Sequence, residues 1–317
     1  MSHHVVILGA GAMGSLFGGL LAEGGLQVTL LDPWQEHINK IKQDGLQMVG
    51  FGGDRFIPLG ATSNPRDIDS ADFVFVQCKA NFNAAAASSI QHLFQEGSDT
   101  IAISFQNGLG NEEELAEYFG SNRVLGGLTA QGANIEAPGV VRNHAELPSY
   151  VGEMTGEDSD RSRELATILS AACLPTETSI KIREDIWRKL MANIAISAVS
   201  GITGLNIGQI FNQHLADDVS YAALDEAVAV ANAVGIQLTA EESREILGKI
   251  AGPNGTPGNK SSLRVDIENE RPSEIDYING AVVKLAKQHN IPVPVNETLV
   301  RLVHGLQAHY LDQEPEK

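Results

Sequence analysis

Two hydrophobic patterns divide the chain. Up to about residue 180, short apolar runs alternate with segments of helical spacing. Val5-Val-Ile-Leu8 is followed without a gap by Gly9-Ala-Gly-Ala-Met-Gly14, and Ser15 to Glu23 then has the small, apolar character of a tightly packed helix. Val28-Thr-Leu-Leu-Asp32 reads as a second strand. Asp72 to Cys78 and Thr100 to Ser104 are continuous apolar runs of the kind buried on both faces in parallel sheets, each followed by a helical segment. This alternation predicts a doubly wound parallel sheet. Between Val124 and Gly152 the runs shorten around a Pro138-Gly139 turn, which predicts antiparallel hairpins finishing that sheet. A helix over Ser159 to Ala172 and an extended segment from Leu174 to Ser179 complete this half.

After Ile180 the strand pattern nearly vanishes. Helices are predicted over Arg183–Val199, Ala216–Ala233, Thr239–Ala251, Ser273–His289 and Asn296–His309. Thr239-Ala-Glu-Glu242 and Ser273-Glu-Ile-Asp276 have the form of capping boxes, while Gly235 and Asn290 stand where helices stop. The expected domains are residues 1–180 and 181–317, with a frayed polar tail from Asp312 to Lys317.

Within Arg183–Val199, the only polar side chains after Lys189 are Asn193 and Ser197. Steps of four residues turn a helix by roughly 40°, so these three share one narrow face. The other faces are apolar. Two readings stand: the seam meets solvent with the lysine snorkelling outward, or it lines a polar cavity.

The glycine turn carries clearer chemistry. Gly9 permits a sharp turn, Gly11 admits a pyrophosphate close to the backbone, and Gly14 lets the helix lie against the sheet with its first amides facing the anion. Gly9, Ala10, Gly11, Ala12, Met13 and Gly14 are therefore expected cofactor contacts on a Rossmann-type sheet. Asp32 ends the second strand where dinucleotide folds place a ribose contact; a carboxylate there favours NAD over NADP, although it can also be a turn aspartate before Pro33. Lys79 and Asn107 follow strand ends, as a turn or as part of a site. The loop Gly252 to Ser262 is either a linker or a lid whose donors hold a small anion, and Glu274 either serves a helix dipole or the chemistry.

Composition narrows the class. The chain has 317 residues, 43% of them hydrophobic, with no long uninterrupted apolar stretch. Its formal charge of −18 argues against nucleic-acid or anionic-membrane partners. Cys78 and Cys173 are too few for a disulfide framework or a zinc site; they read as small buried residues of a cytoplasmic protein, and no metal is expected. No signal peptide is read at the N-terminus.

Taken together, the residues resemble the ketopantoate reductase (2-dehydropantoate 2-reductase) family over nearly the whole chain. The resemblance rests on Gly9 to Gly14, Cys-Lys79-Ala, Gln-Asn107-Gly-Leu-Gly, Gly132-Ala133 before Pro138-Gly139, Trp187-Arg-Lys189-Leu-Met-Ala-Asn193, Ser262-Leu-Arg-Val-Asp266, and Arg271-Pro-Ser-Glu274 through Gly280. It implies an N-terminal α/β Rossmann-type domain and an all-α C-terminal domain for substrate and dimerisation. By its terms Lys189 matches the proton donor, Asn193 a substrate-binding amide, and Glu274 an acid near nicotinamide and substrate. Lys79, Asn107 and Ala133 match cofactor-side positions, and Asn259, Lys260, Ser261 and Ser262 match the segment that closes on the substrate. The activity implied is NAD(P)H-dependent reduction of a small 2-oxo acid, in a cleft between the domains and in pantothenate biosynthesis.

Two departures matter. Ser197 stands where typical members carry a second asparagine, and Asp32 where NADPH-using members carry a basic residue. NAD(H) is thus expected from Asp32, against NADP(H) as the usual family cofactor. A 3-hydroxyacid dehydrogenase and a non-catalytic NAD(P)H-sensing regulator are the competing readings, and a homodimer is expected by base rate.

Overall fold

A computed structural model describes residues 3–311, so the tail expected to fray lies outside the described residues. The chain forms two compact units: the first runs to Gln106 and resumes at Asn111–Arg183, the second comprises Asn107–Gly110 and everything from Glu184.

The first unit contains β1 (His4–Leu8), α1 (Ala12–Glu23), β2 (Gln27–Leu31), α2 (Gln35–Asp44), β3 (Leu46–Gly50), β4 (Arg55–Ile57), β5 (Gly60–Thr62), β6 (Phe73–Val76), α3 (Asn83–Ser89) and β7 (Ile101–Ser104). It continues with α4 (Asn111–Phe119), β8 (Val124–Thr129), β9 (Ala133–Ala137), β10 (Val140–Asn143), β11 (Ser149–Gly152), α5 (Asp160–Ala171) and β12 (Thr176–Thr178). An eight-stranded sheet has the order β12-β11-β8-β7-β6-β1-β2-β5. From β8 to β5 all neighbours are parallel, and β11 turns antiparallel against β8.

The hairpin at Pro138-Gly139 departs from expectation. It does not finish the large sheet; it joins a second, four-stranded sheet of order β4-β3-β10-β9, in which β10 pairs parallel with β3. The reason lies in α1, which is buried on two sides. A Cβ at Gly18 would meet Leu30 and Ile7 of the large sheet, whereas one at Gly19 would meet Met48, Leu46 and Ile57 around the small one. A helix with two sheets against it has no polar face to offer, which explains its lack of charge before Glu23.

The second unit contains α6 (Ile182–Thr203, entered just before the division), α7 (Ile207–Phe211), α8 (Asp217–Ala233), α9 (Ala240–Ala251), α10 (Ser262–Glu268), α11 (Asn279–His289) and α12 (Pro294–Leu311). Its core gathers Leu190, Met191, Ile194, Ala195, Ala198 and Val199 of α6 against α8, α9, α11 and α12. The Thr239 capping box forms, and Asn290 ends α11 with φ 55. The Ser273 capping box does not form. A short 3-10 turn occupies Ile275–Tyr277, the chain breaks at Ile278, and α11 begins only at Asn279.

The cysteines also differ from expectation: Cys78 is half-buried and Cys173 exposed. Cys173 follows the end of α5 with φ 61, and the next amide, Leu174 N–H, closes the helix on the Leu169 carbonyl, so its side chain lies outside the packed core. Among the described residues no helix is long and apolar enough to cross a membrane.

Candidate active site

In the first unit, β1 has β2 on one side and β6 on the other, so the strand order reverses at the carboxyl ends of β1 and β6. Gly9 leaves β1 at φ 102, and a Cβ there would lie 2.4 Å from the Cys78 nitrogen. Only glycine fits. A Cβ on Gly14 would fall 1.9 Å from the Gly9 carbonyl oxygen, so the third glycine is equally obligatory. Gly11 meets nothing within 4 Å, and it caps α1 without any side-chain bond. Gly11, Ala12 and Met13 keep solvent access while Ala10 and Gly14 are buried. Open space before the first amides of a twelve-residue helix fits an anion such as a pyrophosphate.

Asp32 is bound into this turn. One carboxylate oxygen accepts the Ala10 N–H at 2.7 Å and the other the Trp34 N–H at 2.9 Å. It is thus a turn aspartate that also ties β2 to the glycine turn, and each oxygen retains a further lone pair for a ribose hydroxyl. Lys79 lies just beyond the end of β6 at Val76, half-buried, two residues after the Gln77 amide that bonds the Leu8 carbonyl. Ala133 opens β9 of the small sheet and packs on the core that holds α1. Asn107 lies not with these strand ends but in the second unit's four-residue insertion. There the Leu109 N–H donates to the Tyr277 carbonyl at 2.9 Å.

Sequence reasoning assigned no role to the polar cluster behind Lys79. The Gln106 amide donates to the Cys78 carbonyl and to Asn83 Oδ1, both at 2.7 Å, and Asn83 Nδ2 donates to Asn111 Oδ1 at 3.0 Å. These bonds lock the ends of β6 and β7 together. The partners are far apart in sequence, so local pattern could not reveal them.

In the second unit, the α6 seam is not a solvent face. Ser197 is 2% exposed, and Lys189 and Asn193 are half-buried. Although Lys189 as a residue keeps some exposure, its ammonium is desolvated: burial pushes it down to about 8, with the nearby Glu274 carboxylate pulling the other way. Glu274 itself precedes the 3-10 turn, and its carbonyl accepts the Tyr277 and Ile278 amides. It is not in the first turn of an α-helix, so the dipole explanation for an acid here falls away.

The setting of α6 was missed from sequence. Asn279 Nδ2 donates to the Ile194 carbonyl at 3.3 Å and to Asn296 Oδ1 at 2.9 Å, while Asn296 Nδ2 donates to the Ala223 carbonyl at 2.9 Å. Glu226 accepts the Val295 and Asn296 amides at 2.9 Å each. α6, α8, α11 and α12 are thereby joined at the residue next to Asn193.

The expected lid segment is anchored rather than loose. The Gly208 amide donates to the Pro257 carbonyl at 2.7 Å and the Ile207 amide to the Asn259 carbonyl at 3.3 Å. Ser261 caps α10 by accepting the Arg264 N–H, and its hydroxyl donates to the Ser197 backbone carbonyl at 3.3 Å, which ties the segment to α6. Asn259, Lys260 and Ser262 are exposed, and Lys260 is paired to Glu268 at 2.7 Å.

The first unit carries a glycine turn of the dinucleotide-binding form, and the second a buried lysine lowered toward neutrality, a combination suited to reductases of carbonyl groups. That places the chain among dinucleotide-dependent oxidoreductases. The family described as ketopantoate reductase PanE/ApbA matches residues 5–156, and its C-terminal part matches residues 181–307. The 2-dehydropantoate 2-reductase of Halobacterium salinarum is 32% identical over 307 residues, spanning 96% of this chain and 98% of that one. That of Archaeoglobus fulgidus is 33% identical over 305 residues, with the same coverage of 96% and 98%. Among solved structures, D-mandelate dehydrogenase with NADH and anilino(oxo)acetate has a TM-score of 0.90 at 27% identity, covering 97% of this chain and 99% of that one. A PanE/ApbA family ketopantoate reductase from Ralstonia eutropha JMP134 has a TM-score of 0.88 at 30% identity, with coverage of 97% and 99%. The chain belongs to the ketopantoate reductase family.

Proposed function

We propose that this protein reduces a small 2-oxo acid to the 2-hydroxy acid with NAD(P)H, as a 2-dehydropantoate 2-reductase or a close relative with altered substrate. The observation that carries the mechanism is the desolvated Lys189 ammonium near Glu274, one helical turn from Asn193. The amides of Gly11, Ala12 and Met13 hold the pyrophosphate, with Lys79, Asn107 and Ala133 on the cofactor side. The bound nicotinamide supplies the hydride.

As negative charge develops on the substrate's carbonyl oxygen, Lys189 stabilises it and gives up a proton, which a pKa of about 8 makes possible near neutrality. Asn193 donates to the same substrate and Glu274 orients the lysine and the forming hydroxyl. The substrate carboxylate takes its hydrogen bonds from the donors of Asn259 to Ser262. For Lys189→Ala we expect a loss of about 10²–10⁴ in kcat/KM with the true substrate; a variant within a few-fold of wild type overturns the assignment. Relatives named 2-dehydropantoate 2-reductase do not favour a 3-hydroxyacid dehydrogenase or a non-catalytic sensor.

A second substrate reading has its own support. Ser197 replaces the asparagine expected there, Asp32 disfavours a 2′-phosphate, and the similar D-mandelate dehydrogenase was solved with NADH and anilino(oxo)acetate. We therefore expect NADH to be preferred, and a bulky 2-oxo acid such as benzoylformate to compete with ketopantoate. A steady-state screen of both acids with both cofactors decides; a clear NADPH preference refutes the role given to Asp32. The same reading makes the protein a cytoplasmic homodimer, supported by exposed Val219 and Leu302 on α8 and α12. Light scattering at the mass of one chain would refute the dimer.

A further inference from the structure

The buried pair His37 and Ser15 is not used by the mechanism. Both are 0% exposed, and they connect the glycine turn to the Pro138-Gly139 hairpin of the other sheet. The Gly139 N–H donates to His37 Nδ1 at 2.9 Å, so that nitrogen must carry a lone pair. Ser15 Oγ donates to the Ala10 carbonyl at 2.9 Å, which uses its only hydrogen. Its remaining contact, at 3.1 Å to His37 Nε2, therefore has the histidine as donor. One proton arrangement satisfies all three bonds: a neutral imidazole with its hydrogen on Nε2.

The endpoint is what matters. The carbonyl of Ala10 is held by Ser15, and its N–H is held by Asp32 at 2.7 Å. The peptides on both sides of Ala10 are thus fixed in orientation just before the free amides of Gly11, Ala12 and Met13. Trp34 stacks on the imidazole with centroids 4.7 Å apart and 10° between planes, covering one face of the ring. At the other end, Gly139 has φ 77, and a Cβ there would lie 2.6 Å from the Lys40 side chain, so any other residue at this position is strained.

We infer that His37 and Ser15 are positioning residues for the dinucleotide: a relay from Gly139 through the neutral imidazole and the Ser15 hydroxyl aims the glycine turn, and affinity for a nicotinamide dinucleotide falls when His37 takes up a proton. The inference rests on the dinucleotide reading above. Protonation would set a second hydrogen at Nδ1 against the Gly139 N–H and break the relay at its source. Among the charged groups around the ring, Asp32 favours the protonated form, while Lys40, one turn along α2, is paired to Asp44 at 2.6 Å. Burial outweighs Asp32 and keeps the imidazole below its ordinary value.

The test is NADH affinity of the full-length protein, by fluorescence titration from pH 8 to pH 5, for wild type and Ser15→Ala, with the ¹⁵N shifts of the His37 ring recorded over the same range. We expect Nε2–H at pH 8, a wild-type dissociation constant that rises about tenfold as the ring protonates, and a Ser15→Ala protein weakened about tenfold at pH 8 with that pH dependence lost. Ser15→Ala binding NADH as tightly as wild type, with the same pH dependence, overturns the relay and leaves the dinucleotide reading standing. Wild type that binds neither NADH nor NADPH at any pH overturns both.

Discussion

Lys189 titrates near pH 8 because burial outweighs the opposing charge of Glu274. Two outcomes follow at the scale of this residue. In the reductive direction kcat/KM falls above about pH 8, approaching tenfold per pH unit, and in the oxidative direction it falls below that value; a flat profile between pH 6 and 9 would contradict the role. Stability carries the opposite sign from an ordinary ion pair. Between pH 8 and 10.5 the folded chain binds fewer protons at Lys189 than the unfolded chain, so the cost of burying the ammonium is full below pH 8 and fades as pH rises. Lys189→Met should therefore raise stability at pH 7 by on the order of 1 kcal/mol, discounted for the residue's partial exposure, while removing turnover. Urea midpoints at pH 7 and 10.5 measure both ends of the window. The Lys189, Asn193 and Ser197 seam is legible in the sequence because a four-residue repeat is local. The desolvation of Lys189 is not, because it depends on which distant segments pack against α6.

At the scale of elements, a contiguous motif was legible where its own residues fix the geometry and not where a distant partner does. The glycine turn and α1 follow from a contiguous motif, whose three glycines the geometry explains by contacts of 2.4 Å and 1.9 Å and by one open cradle. The small sheet escaped because β10 finds its partner in β3, far back along the chain, and hairpin pattern cannot say which sheet a hairpin joins. The Ser273 box failed because its serine amide is taken by Gln307 Oε1 at 2.6 Å, which holds the segment as a turn rather than a helix start. An unforeseen feature of α4 yields a prediction. Burial pushes Glu112 up to about 7, with Glu113 adding to it and Ser104 opposing. The folded chain then holds a proton between pH 4.5 and 7 that the unfolded chain releases, so this group's stability falls as pH rises through that window. Glu112→Gln should gain up to about 3 kcal/mol relative to wild type at pH 8 and little at pH 4.5. An equal gain at both pH values in urea unfolding would contradict it.

At the scale of the whole molecule, the division into two units is crossed not once but three times, because Asn107–Gly110 belongs with the helices. A composition shift near Ile180 can mark one crossing; a four-residue excursion has no compositional signature. Its place is fixed by Leu109 bonding the Tyr277 carbonyl and by Gly108, where a Cβ would lie 2.5 Å from that same oxygen. A fragment covering residues 184–317 therefore lacks part of its own core. We expect it to melt at least several degrees below the helical unit of the intact chain, and a fragment of equal stability by calorimetry would refute that account.

The central claim, a 2-oxo acid reductase whose proton passes through Lys189, is tested most directly by following NADH oxidation with ketopantoate and benzoylformate, for wild type and Lys189→Ala side by side. Turnover of at least one acid by wild type and its loss by 10² or more in the variant is the predicted result. Wild type inactive on both acids with either cofactor, or a variant that matches wild type, would contradict it.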